Sequence, residues 1–135
     1  MKSKSFIIEE LVPRSVYNLR GDSSWELIDE RLIETIDIIK ERFPKGRMTI
    51  NNWKWNGPRQ WSGLRTKDSA EYSPTSQHSL GKAIDAVFSE YSAEEIREDI
   101  IKNPEIYKHI TGIEHSVSWL HIDVRNYDGI KRFGK

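Results

Sequence analysis

The sequence predicts an α+β fold, a small antiparallel sheet with helices packed on one face. Three observations predict it. One long segment repeats its apolar residues at helical spacing between plausible caps. Several short segments alternate apolar and polar residues and are bounded by Gly, Pro, Ser or Asn. The length of 135 residues suits one core and is short for two, so residues 1–135 are read as a single domain.

Residues 1–22 are read as an N-terminal arm. Within it, 6–12 form a strand or extended piece closed by Pro13, and Val16 to Leu19 a second one ended by Gly21. The clearest helix follows. Ser23 is a good N-cap, and Glu26 three residues later completes a capping box. Ile28, Leu32, Ile36, Ile39 and Phe43 form its apolar stripe, widened by Leu27 and Ile38, and Pro44 and Gly46 end it. Met48 to Trp53 reads as a strand. From Lys54 to Thr75 the chain is rich in Gly, Pro, Ser and charge, a long loop of the kind that often carries function. Lys82 to Phe88 reads as a strand, and Ser92 with Glu95 caps another helix carrying Ile96, Ile100 and Ile101. Pro104 to Ile110 adds one helical turn. Ile113 to His115 and Trp119 to Val124 read as two strands around a short turn, and 126–135 as a polar tail that frays.

Composition narrows the function. Lys plus Arg equals Asp plus Glu at 21 each. This balance gives no support to a nucleic-acid partner, which calls for excess basic charge. There is no Cys, which excludes disulfides and thiolate metal sites. The apolar run Phe6 to Ile8 is too short for a signal peptide, and no stretch approaches the ~20 apolar residues of a membrane span. No membrane partner and no export signal are expected, and the protein is read as a monomer.

The candidate chemistry lies in Ser76-Gln77-His78-Ser79-Leu80-Gly81-Lys82-Ala83-Ile84-Asp85 and in Ser118-Trp119-Leu120-His121-Ile122-Asp123-Val124. On the last strand His121 and Asp123 share one face, and Leu120, Ile122 and Val124 the other. On the earlier strand Ala83 and Asp85 oppose Ile84, Ala86 and Phe88. If these strands pair, Asp85 meets His121, and His78 arrives from the loop before Gly81, whose small size lets the backbone turn close to a metal. Two His and one carboxylate leave an open coordination position, the arrangement of a catalytic zinc site, though the same set also suits Fe(II). Asp123 can orient a ligand His from behind. Of the five Trp, Trp53, Trp55, Trp61 and Trp119 are candidates to line a groove for a peptide or glycan. Trp61 and Trp119, with Ser76, are taken as the substrate-lining residues.

These segments resemble the zinc D-alanyl-D-alanine carboxypeptidase family, which includes VanY-like enzymes and phage endolysin peptidases and shares its fold with the Hedgehog signalling domain. The family pattern Ser-x-His-x-x-Gly-x-Ala-x-Asp is matched at Ser76, His78, Gly81, Ala83 and Asp85. The later family His, followed by x-Asp, is matched by His121 with Asp123. The segment Ser62-Gly63-Leu64-Arg65 looks like the family's Ser-Gly-Tyr-Arg, with Leu64 in place of the usual aromatic. The resemblance runs from about Thr49 to Val124. It implies Zn2+ held by His78, Asp85 and His121, with Arg65 holding substrate and developing negative charge. It also implies a peptidoglycan peptide as substrate, cut at or near D-alanine. A phage-encoded lysis enzyme would stay cytoplasmic until lysis or travel with the virion.

One departure bears on mechanism. Many members place a catalytic Glu three residues before the last His ligand, where this chain has Ser118. Hedgehog-type domains place a Glu six residues before, where this chain has His115. The nearest carboxylate is Glu114. Strand parity sets Glu114 and His115 on opposite faces, so at most one of them easily serves the site, and Glu114 is favoured as the general base. The alternative is a non-catalytic zinc-binding or structural module of the same fold.

Overall fold

The computed structural model describes residues 1–134. A five-stranded mixed sheet runs in the order β1-β2-β4-β3-β5, with β1 Met48–Thr49, β2 Ala83–Phe88, β3 Gly112–His115, β4 Leu120–Asp123 and β5 Lys131–Gly134. Three α-helices accompany it: α1 Arg14–Arg20, α2 Glu30–Arg42 and α3 Ala93–Lys102. The class is α+β. The sheet is antiparallel throughout except for β3 and β5, which pair in parallel.

Alternation sorts the strands as their sequences require. Ile84 and Ala86 of β2, Ile113 of β3, and Leu120 and Ile122 of β4 enter one buried cluster with Leu32, Ile33, Ile36 and Ile39 of α2 and Ile96 and Ile100 of α3. Each such Leu or Ile contributes about 1.5–3 kcal/mol by leaving water. The other face of the strands carries Asp85, Glu114, His121 and Asp123.

The second helix begins later than its apolar stripe suggests. Gly21–Leu27 is a 3-10 helix, and the N-cap of α2 is Asp29, whose carboxylate accepts from the Arg31 N–H at 2.9 Å. Ser23 instead donates its hydroxyl to the Arg20 carbonyl at 2.8 Å. The capping box of α3 forms as read, with Ser92 accepting from the Glu95 N–H at 3.1 Å and Glu95 accepting from the Ser92 N–H.

The N-terminal segment is helical where extended pieces are expected. Ile8–Glu10 is a 3-10 helix and Arg14–Arg20 is α1. Ile8, Leu11 and Val12 follow the i, i+3, i+4 spacing of a helical face, and with Phe6 they belong to the core. The strand after α2 stops at Thr49, because Trp53–Trp55 turns into a 3-10 helix. Residues 104–109 form successive turns rather than a helix. Residues Lys131–Gly134 of the tail form a strand, where a fraying tail is expected. The Lys131 N–H donates to the Thr111 carbonyl at 2.9 Å, and β5 then follows β3 in register. Of the expected tail, Lys135 lies outside the described residues.

Gly81 has a different reason from the one its motif suggests. Its φ is +70°, and a Cβ there would overlap the Leu27 carbonyl oxygen. Its own carbonyl accepts from the Asp29 N–H at 2.9 Å. The glycine therefore lets the site loop press against the start of α2. Gly81→Ala combines a left-handed backbone with a backbone clash and should lower stability by roughly 2–4 kcal/mol, read as a fall in the urea midpoint at unchanged slope.

Candidate metal centre

Three donors converge on the polar face of the sheet. Asp85 on β2 stands directly opposite His121 on β4. The His121 Nδ1 lies 2.9 Å from Asp85 Oδ1, and the His78 Nε2 lies 3.3 Å from the same oxygen. One ligand atom from each of the three residues lies within 4.8 Å of the others. Ligand atoms this close together could hold a metal ion.

Each donor is aimed by a partner on its far side. The His78 Nδ1 is 2.9 Å from the Gly63 carbonyl, which fixes the proton there and turns Nε2 inward. The His121 Nε2 is 2.9 Å from Asp123 Oδ2. Asp85 Oδ2 accepts from Arg65 Nη2 at 3.1 Å, leaving Oδ1 toward the histidines. These partners set the electrostatics. Burial acts to raise the Asp85 pKa, but hydrogen bonds from His121 and His78 outweigh it and hold the carboxyl well below its usual range. Burial acts to lower His121, but hydrogen bonds to Asp123 and Asp85 outweigh it and lift the pKa to about 9. Asp123 is brought down to about 2, its burial outweighed by Arg125 and His121.

The long loop before β2 is the scaffold of this arrangement. The Asp85 N–H donates to the Ser62 carbonyl at 2.8 Å, and the Arg65 N–H to the His78 carbonyl at 3.2 Å. The Leu64 N–H donates to the Leu11 carbonyl, and the Ser62 N–H to Asn51 Oδ1 at 3.0 Å. Asn51 is buried and bonds on to the Val12 carbonyl. The N-terminal segment thus fixes the loop that holds His78 and Arg65, a role with no local signal in the sequence. Ser76 supports the same loop by accepting from the His78 N–H at 3.2 Å.

A cleft of about 350 Å³ opens over the three donors. Arg65, Ser76, Glu114 and Trp119 all line it, as do Arg125 and Phe133. The β3–β4 register ends with Ile113 opposite Ile122, and Glu114, the next residue, lines the same cleft as His121. Two expected site residues stay outside the cleft lining. His115 accepts from Arg132 Nε at 3.1 Å away from it, and Trp61 contributes its carbonyl to Arg65 Nε at 2.8 Å. Ser118 lines a separate groove with Arg97 and Val117. The other tryptophans also separate. Trp53 is buried, with its indole N–H on the Val12 carbonyl at 2.8 Å, and Trp55 lines a distinct groove of about 530 Å³ along β1.

Phe133 and Arg125 are cleft residues that sequence reading missed, and Phe133 is the less expected of the two. It lies on β5 opposite Glu114, and its ring meets the His121 ring edge-on at 5.5 Å. Its only signal was an aromatic residue in a tail that is mostly polar but also carries Tyr127 and Ile130.

No family model, curated protein or solved structure matches this chain. None of the helices among the described residues is long and apolar enough to cross a membrane.

Proposed function

We propose that the chain is a zinc-dependent peptidase that hydrolyses peptidoglycan peptides at or near D-alanine, with the fold and ligand set of the zinc D-alanyl-D-alanine carboxypeptidases. The observation that carries this reading is the convergence of His78 Nε2, Asp85 Oδ1 and His121 Nδ1 at metal-ligand spacing, under a cleft that also holds Glu114 and Arg65. A zinc ion there supplies Lewis acidity, which polarises a carbonyl and makes water a nucleophile at neutral pH.

The chain's own residues do the remainder. Glu114 accepts the proton of the attacking water as the new C–O bond forms, and returns it to the leaving amine as the C–N bond breaks. Arg65 is held through Nε by the Trp61 carbonyl and through Nη2 by Asp85, with Glu71 3.4 Å from the same Nη2, and its positive charge is the one that would stabilise the substrate oxygen gaining charge. Trp119, 36% exposed, forms one wall for the peptide. A phage-encoded lysis or virion enzyme acting as a monomer is part of the same reading.

The non-catalytic reading has one observation in its favour. Ser118 replaces the expected Glu and lines a separate groove, so the base role falls on Glu114. Hydrolysis of purified muropeptides separates the two. The peptidase releases a D-alanine-containing fragment, loses activity to a chelator and regains it with zinc. A zinc-loaded protein that leaves stem peptides intact across D,D- and L,D-linked substrates is a binding module instead.

A further inference from the structure

Asp123 is fully buried, and a carboxylate so placed requires partners on both oxygens. Arg125 supplies them as a bidentate pair, with Nε 2.7 Å from Oδ1 and Nη2 2.6 Å from Oδ2. The Arg125 backbone N–H adds a bond to Oδ1 at 3.3 Å. Arg125 is in turn fixed from two sides. Its carbonyl accepts from Thr111 Oγ1 at 2.6 Å, and its guanidinium lies 4.9 Å from the centre of the Phe133 ring. Room for this arrangement comes from Gly112, where a Cβ would overlap the Asp123 carboxylate.

We propose that Arg125 is a positioning residue for the metal ligand His121, acting through its grip on Asp123 and its seat against Phe133. The inference rests on the metal-site reading above. An imidazole can carry its proton on either nitrogen and can turn its ring over, and either change would stop Nδ1 offering a lone pair to a metal held together with Asp85 and His78. Asp123 Oδ2 prevents both by holding Nε2, but only if the carboxylate itself cannot rotate. Arg125 prevents that rotation by holding both oxygens, and Phe133 closes the remaining side of the imidazole. The C-terminal strand therefore serves the metal centre as well as the sheet edge.

The test is zinc affinity of the full chain, measured against a competing chromophoric chelator at fixed pH, with imidazole nitrogen shifts of His121 read alongside. Arg125→Met should weaken zinc binding about 10–100-fold, the usual effect of losing a partner behind a ligand. It should also remove the single-tautomer signature at Nε2. Arg125→Lys, which keeps the charge and loses the bidentate geometry, should fall between. Arg31→Met, which breaks an ion pair with Asp29 at the start of α2, should bind zinc as the wild type does. A merely structural pair would lower the unfolding midpoint of Arg125→Met and leave the zinc affinity of the folded protein unchanged, and that result overturns the proposal. Should Arg125→Met fail to fold, Arg125→Lys and Phe133→Leu decide, and wild-type affinity in both overturns it equally. A wild-type protein that takes up no zinc removes the metal-site reading, and this inference falls with it.

Discussion

His121→Ala should purify without stoichiometric zinc, and His78→Ala should do the same. Each change removes one of three donors and leaves two, too few for a tight site in competition with water. The fold should survive. Without His121, Asp85 keeps Arg65 and Asp123 keeps Arg125, so neither carboxylate is left buried and unpaired. The expected cost is about 1–3 kcal/mol for the lost hydrogen bonds. Elemental analysis gives the first result and urea unfolding the second. Stoichiometric metal in both variants would remove the ligand assignment.

Glu114→Gln should keep its zinc and lose hydrolysis by about 10²–10⁴-fold, the range of a positioned general base. The substitution preserves shape and leaves the three donors untouched, so metal content is an internal control. His115→Gln should change hydrolysis little, because His115 is engaged with Arg132 and does not line the cleft. Steady-state rates on one muropeptide, with zinc content measured on the same samples, check both. Undiminished turnover in Glu114→Gln would transfer the base role to another group.

Much of this architecture was legible because it repeats. The Leu32, Ile36 and Ile39 stripe announced α2, and the alternation of Leu120, His121, Ile122 and Asp123 in β4, with Asp85 set between Ile84 and Ala86 in β2, put His121 and Asp85 on the polar faces of their strands. Their opposition in the sheet follows from period-two geometry. The supporting parts carried no such period. Ile8, Leu11 and Val12 have helical spacing, but Pro13 and Gly21 cut this segment into pieces of one or two turns, and pieces that short read as extended. The contribution of Asn51 depends on the Ser62 and Val12 backbones, contacts that no local pattern encodes. β5 is specified by its parallel backbone pairing with β3, which a polar sequence with exposed side chains does not announce. Gly81 was legible as a residue that had to be glycine, while its neighbour, the Leu27 carbonyl, was not.

In the proposed function, His78, Asp85 and His121 hold a catalytic metal. The measurement that tests it most directly is zinc content per chain, by elemental analysis of protein purified without added metal and again after dialysis against zinc. One equivalent of zinc is expected, removed by a strong chelator and restored stoichiometrically. A chain that holds no zinc after dialysis, with its fold intact, would contradict it and leave the cluster as a hydrogen-bonded network of two histidines around Asp85.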